Sequence, residues 1–125
     1  MSKVISNLYD NDIKVALPMS DHLAFDLIAI DNSGKLSRVS VKHRKISKNR
    51  SLDVSLKTVY KNKKGNHIKI ADKQWYDSVA LYCPDNNQCY YFKSKEIPDG
   101  GTRTIRPDKI DELKEFTEPT RIFKG

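Results

Sequence analysis

The sequence predicts an α/β fold of the α+β kind, in one domain over residues 1–125, and three observations carry that reading. Residues 25–42 alternate apolar and polar side chains on either side of a glycine turn, the pattern of a β-hairpin. A second pair of apolar runs, Val79-Ala80-Leu81-Tyr82-Cys83 and Cys89-Tyr90-Tyr91-Phe92, flanks the turn Pro84-Asp85-Asn86-Asn87. Near the C-terminus, Pro107 followed by acids and spaced apolar residues marks a helix. With 125 residues, 38% of them hydrophobic and 31% charged, the chain has enough apolar surface for one core.

Taken in order, residues 1–8 read as the end of a helix, and Ile13-Lys14-Val15-Ala16-Leu17 as a first strand stopped by Pro18. Asp31-Asn32-Ser33-Gly34-Lys35 suits a three-residue hairpin loop, a type I turn closed by a left-handed glycine, which centres the pairing on Ser33. Asp26 then faces Ser40. In that register Phe25, Leu27 and Ala29 share an apolar side with Val39 and Val41, while Asp26, Ser40 and Lys42 point together to the other. A slip of one residue would carry Lys42 into the apolar face, so turn chemistry and hydrophobic pattern agree. Ser51-Leu52-Asp53-Val54-Ser55-Leu56 alternates as a later strand. After Gly100-Gly101 comes a β-like piece, Thr102-Arg103-Thr104-Ile105-Arg106, then a helix opened by Pro107 over residues 108–116, with acids in its first turns, and an extended tail from Thr117.

Charge is distributed unevenly. The formal total is +7, yet residues 35–69 hold twelve Lys/Arg against one acid, Asp53, a net +11 that leaves −4 for the rest. A cationic block that starts within the hairpin suits a polyanionic partner, since each phosphate contacted releases condensed counterions. In many proteins such a run is a solvated surface, and Lys61-Asn62-Lys63-Lys64-Gly65-Asn66 reads equally as a solubilising loop. Tyr60, Trp75 and Tyr76 flank the block and suit stacking on bases or sugars, although Trp75 fits a core anchor better.

Other chemistries are poorly served. Cys83 and Cys89 face each other across their hairpin, but no export signal precedes them and reduced thiols are expected. His22, His43 and His67 lack a spacing that would join the cysteines around zinc. No nucleophile elbow or phosphate-binding glycine loop occurs. His43 follows Lys42 and so points to the opposite face of its strand; Asp21 and His22, in the loop leading to Asp26, offer a second oxygen or a proton-transfer group toward a metal there, although a loop aspartate capping its own backbone is the better reading. No apolar run is long enough for a bilayer and no signal-peptide pattern follows Met1, so the expectation is a cytoplasmic protein without a membrane partner.

An aspartate and a lysine brought together on a hairpin can serve phosphodiester chemistry. The carboxylate offers a hard oxygen ligand, and the ammonium balances phosphate charge or orients a water. Diagonal neighbours on a sheet lie roughly 7–8 Å apart, enough for one metal and one phosphate between them. On most amphipathic hairpins such a pair is merely solvated.

The wider set of motifs adds to this pair. Val15-x-x-Pro18, Phe25-Asp26-Leu27-Ile28, the Gly34 turn, Arg38-Val39-Ser40-Val41-Lys42, Lys64-Gly65-Asn66-His67, Tyr82-Cys83-Pro84-Asp85 and Cys89-Tyr90-Tyr91 follow one another in an order that resembles the PD-(D/E)XK endonucleases associated with group I introns. The resemblance implies a restriction-endonuclease-like core, a mixed β-sheet flanked by helices, and a DNA endonuclease dependent on Mg²⁺ or Mn²⁺. It implies that Asp26 is the metal-binding aspartate, Lys42 the catalytic lysine, and Ser40 the position of Glu or Gln in the wider superfamily. It also implies a homodimer or homotetramer on duplex DNA. The cationic block offers Arg38, Arg44, Lys45, Lys61, Lys63 and Lys64 to the nucleic acid. Two departures follow. A neutral Ser40 predicts weaker metal binding, and the acid-free residues before Asp10 read as a first helix that is shortened and lacks the family's glutamate. Together they define the alternative, a DNA-binding module on the same fold that has lost catalysis.

Overall fold

The computed structural model describes residues 1–20, 23, 25–55, 57–62, 65–70, 76–98 and 102–123, the stretches 57–62 and 65–70 by their backbone pairing. Asp21, His22, Lys63, Lys64, Trp75, Gly100 and Gly101 thus lie outside the described residues.

Helix α1, Ser2–Asp10, buries Val4 and Leu8 completely. Their spacing of four stacks them on one face. The helix stops at Asn11, whose N–H donates to the Leu8 carbonyl and whose side-chain amide donates to that of Asn7 at 2.8 Å. Asp12 then takes a left-handed φ of 62° and reverses the chain, so that Ile13 enters the core. Strand β1, Lys14–Ala16, is shorter than the expected 13–17.

β2, Leu27–Ile30, and β3, Leu36–His43, pair antiparallel with Leu27 opposite Val39 and Ile30 opposite Leu36, the register centred on Ser33. The turn explains it. One carboxylate oxygen of Asp31 accepts the Ser33 N–H at 2.9 Å, the Ser33 hydroxyl at 2.6 Å and the Lys35 N–H at 2.9 Å, while Gly34 takes φ +85° and donates to the Asp31 carbonyl. Only glycine adopts that φ at no steric cost. Leu27, Ala29, Val39 and Val41 share one face as expected, but Phe25 does not. It precedes β2, escapes the strand alternation and packs against the core on the opposite face.

β4, Leu52–Ser55, is followed by β5, Lys57–Asn62, and β6, Gly65–Ile70, which among the described residues pair with each other as a two-stranded antiparallel ribbon. The lysine-rich segment read as a loop is therefore strand up to Asn62 and again from Gly65. β7, Ser78–Cys83, then lies parallel to β3, with Val39 beside Ser78 and His43 beside Tyr82. β8, Gln88–Lys93, returns antiparallel to β7, and β9, Thr102–Ile105, pairs with β4. The main sheet runs β1-β2-β3-β7-β8, mixed because only its β3–β7 contact is parallel. Among the described residues no helix is long and apolar enough to cross a membrane.

The sheet separates two cores. On one side Val4, Leu8 and Ile13 cover Leu27, Val39 and Tyr91. On the other, Leu52, Val54 and Ile105 of the small sheet and Phe116 of helix α2, Ile110–Thr117, cover Leu81 and Phe92. Phe92 and Phe116 stack at 5.0 Å, and burying each ring contributes about 1.5–3 kcal/mol.

Four further expectations are corrected. Pro107 lies in a turn closed by the Lys109 N–H on the Arg106 carbonyl, so the helix begins at Ile110. The tail is not extended: Pro119–Arg121 forms a 3₁₀ turn that folds Phe123 back to 2% exposure. Tyr76 is 3% exposed and belongs to the core, out of reach of bases. Cys83 and Cys89 are both buried free thiols, but Cys89 pairs with Tyr82 and the two cysteines fall in different cores, on opposite faces of the sheet.

Candidate active site

Asp26 sits immediately before β2, where that strand parts from β3. Its N–H still donates to the Val39 carbonyl at 2.8 Å, but the next tie is made by its side chain, since Oδ2 accepts the Val41 N–H at 2.7 Å. A carboxylate thus replaces a strand carbonyl as partner for β3. The next two polar positions of the same face are Ser40 and Lys42, held from the other side by parallel pairing with Val79 and Leu81.

Exposure grades across the three. Asp26 is exposed, Lys42 half-buried, and Ser40 only 7% exposed. Burial pushes the Lys42 ammonium below the ordinary lysine range, the Arg44 cation pushes the same way, and the Asp26 carboxylate opposes both. Asp26 also lines a cleft of about 230 Å³ with Met1, Leu17, Pro18, Leu23 and Phe25.

The remaining expected residues divide. Arg44 is half-buried and donates through Nη1 to the His43 carbonyl at 2.8 Å; Lys45 is exposed. His43 is exposed, its ring 5.4 Å from that of Tyr82. Arg38 shares the face of Ser40 but is engaged, with Nη2 and Nε 3.3 and 3.4 Å from the Asp77 carboxylate, which also accepts the Arg38 backbone N–H at 2.8 Å. Burial raises the Asp77 pKa, but these hydrogen bonds outweigh it and leave the group below the usual carboxylate range. Lys61 lies on β5 opposite Asn66, away from the main sheet's ladder. The structure thus gathers Asp26, Ser40, Lys42 and Arg44. Asp77 as the keeper of Arg38 was missed by sequence reasoning, because the two are 39 residues apart and meet only through the β3–β7 pairing.

The donors around Asp26 are hard oxygens. Among the described residues no three His, Cys, Asp or Glu side chains gather, and Oδ1 of Asp26 carries no hydrogen bond. One free carboxylate oxygen, with the Ser40 hydroxyl on the same face of the strand that anchors Asp26, fits a Mg²⁺-like ion whose remaining positions are filled by water and substrate phosphate, the usual way such ions are held.

Comparison with known proteins fits this geometry. The PD-(D/E)XK endonuclease family matches residues 1–117. The chain belongs to that family. Its fold is the restriction-endonuclease-like α+β fold, with a mixed five-stranded sheet, smaller sheets and two α-helices among the described residues. It is similar to the solved structure of a bacterial homing endonuclease, I-Ssp6803I, with a TM-score of 0.71 and 22% identity, covering 83% of this chain and 71% of that one. No curated protein matches significantly. Membership in a family of endonucleases supports nuclease function, with DNA as the substrate the family implies.

Proposed function

We propose that this chain is a metal-dependent DNA endonuclease that hydrolyses phosphodiester bonds at a site made by Asp26, Ser40 and Lys42. The observation that carries the proposal is a half-buried lysine two residues beyond Ser40, on the face where Asp26 is tied to the same strand, in a chain of an endonuclease family. The fold shared with a bacterial homing endonuclease supports the intron-associated homing type.

A bound Mg²⁺ or Mn²⁺ supplies Lewis acidity toward the phosphate and makes a coordinated water more acidic. Asp26 would hold it through Oδ1 while Oδ2 stays on Val41, and the Ser40 hydroxyl would be a second, neutral donor. Lys42 places positive charge where the phosphorane charge grows, and its depressed pKa eases proton exchange with water. Arg44 would hold the neighbouring phosphate. Arg38 reaches DNA only by exchanging Asp77 for a phosphate. Exposed Lys45 and the β5–β6 ribbon with Lys61, together with Lys63 and Lys64 of the same basic run, would grip the duplex, since a two-stranded ribbon has the width of the major groove. Cutting both strands requires two such sites, hence a symmetric dimer or tetramer, working in the cytoplasm.

Ser40 favours a second reading, a DNA-binding module without catalysis, because a nearly buried hydroxyl stands where the wider superfamily has a charged or amide oxygen. Supercoiled plasmid with Mg²⁺ or Mn²⁺ separates them. Nicking that is lost in Asp26→Ala supports the enzyme; retention of plasmid without cutting supports the module; neither cutting nor binding rejects both.

A further inference from the structure

A groove of about 730 Å³ crosses the sheet at the end away from Asp26, between the β2–β3 turn and the segment after β8. Its floor is Tyr76, Ser78 and Ser94, at 3%, 2% and 7% exposure, and its rim carries Lys35, Arg38, Lys93 and Lys95. The acid lining it, Asp77, is taken by Arg38. Glu96, which follows Lys95 in the chain, is taken by Arg121 at 2.9 Å. Lys35, Lys93 and Lys95 have no ion-pair partner among the described residues, and the Tyr76 hydroxyl has no hydrogen-bond partner. Lys35 shares the Asp77 charge with Arg38, which leaves four cations around one depression against one carboxylate, and they repel one another unless an anion joins them.

We infer that this groove binds the phosphodiester backbone of the duplex on the flank of the cleavage site, a reading that rests on the nuclease function proposed above. Arg38 at the groove rim and Lys42 at the candidate site lie on one face of β3, four residues or about 13 Å apart. Along the DNA axis that distance is about four base-pair steps. The two positions therefore suit one duplex laid along β3, with the scissile phosphate at Lys42 and flanking phosphates among Lys35, Lys93 and Lys95. Of the four cations at the groove only Lys35 and Arg38 belong to the cationic block of residues 35–69, so net charge along the sequence does not reveal it.

The test is titration of a labelled non-specific duplex at several salt concentrations in EDTA, where cleavage plays no part. Lys35→Gln/Lys93→Gln/Lys95→Gln should flatten the log–log slope by about 0.9 per phosphate contact, whereas Lys14→Gln/Lys109→Gln/Lys114→Gln, which removes equal charge elsewhere, should change it much less. Lys35→Gln/Lys95→Gln alters only exposed residues and should keep most of the effect if half-buried Lys93 disturbs folding. Equal slopes for the groove and control variants, with salt-dependent binding by the unmodified protein, overturn the groove and leave the nuclease reading standing. No DNA binding by the unmodified protein overturns both. A groove variant that loses inorganic pyrophosphate in calorimetry while its DNA slopes stay unchanged identifies a site for a free phosphate ligand and overturns the backbone contact.

Discussion

The Asp26 carboxylate accepts the Val41 backbone N–H at 2.7 Å, so the acid is anchored to the strand that carries Ser40 and Lys42. Fifteen residues separate Asp26 from Val41 in the chain, and this hydrogen bond fixes the carboxylate against the strand backbone from which Lys42 projects.

That dual role can be divided by substitution. Asp26→Asn keeps an oxygen for the Val41 N–H but removes the charge, so stability should change by about 0.5 kcal/mol or less while cleavage falls at least ~100-fold. Asp26→Ala should lose cleavage equally and also destabilise by about 1–2 kcal/mol, since it strands the N–H. Urea unfolding and plasmid nicking measure the two effects; wild-type cleavage by the Asn variant would remove Asp26 from the site.

Lys42 is held at a cost to stability. Burial and Arg44 lower its pKa in the folded protein, so between the folded and the unfolded value the unfolded chain binds more protons and stability rises with pH. Below that window both states are protonated and the cost is complete. Lys42→Met should therefore melt at the same temperature as the parent or higher at pH 7, with the alkaline rise lost and cleavage reduced at least ~100-fold. A marked drop in Tm would mean that the lysine is structural.

Ser40 tests the metal without reference to activity. Ser40→Glu places a carboxylate at a position 7% exposed, so in EDTA the variant should melt below the parent. Added Mg²⁺ should restore Tm more in the variant than in the parent, because a ligand at 100 times its Kd stabilises by about 2.7 kcal/mol. Equal Mg²⁺ responses would place position 40 away from the ion.

The C-terminal turn depends on one ion pair. Arg121 Nη1 reaches both Glu96 oxygens at 3.1 and 2.9 Å, Glu96 also accepts the Lys93 N–H at 2.8 Å, and the guanidinium lies 4.9 Å over Phe116. Burial raises the Glu96 pKa, but the Arg121 and Lys93 hydrogen bonds outweigh it and leave the carboxyl below its ordinary value. The stabilisation is then full above the unfolded value of about 4.3 and is lost as pH falls through the depressed folded value. Glu96→Gln should cost about 1–3 kcal/mol at pH 7 and show a smaller loss between pH 5 and 3 than the parent. Parallel stability curves would overturn the assignment.

What could be read from the chain alone is local. The β2–β3 register was legible because the Asp31 turn and the alternation through Leu27, Ala29, Val39 and Val41 act within some fifteen residues and agree. The common face of Asp26, Ser40 and Lys42 follows from that register. The β7–β8 hairpin was legible from its two apolar runs and the turn between them, but its register was not, because both strands are buried on both faces and show no alternation. The β5–β6 ribbon was not, because lysines at positions 57, 61 and 69 hid its strand character behind a charge run.

The tertiary structure decided everything that depends on which distant strand lies alongside. Parallel pairing of β3 with β7 buries Ser40, half-buries Lys42 and brings Asp77 to Arg38, and no local pattern names that partner. The β7–β8 register sends Cys83 and Cys89 to opposite faces, and pairing of β4 with β9 closes the core over Phe92 and Phe116. Turn chemistry and alternation determine a hairpin within its own residues, whereas the choice between strands far apart in sequence rests on which apolar faces exclude water together.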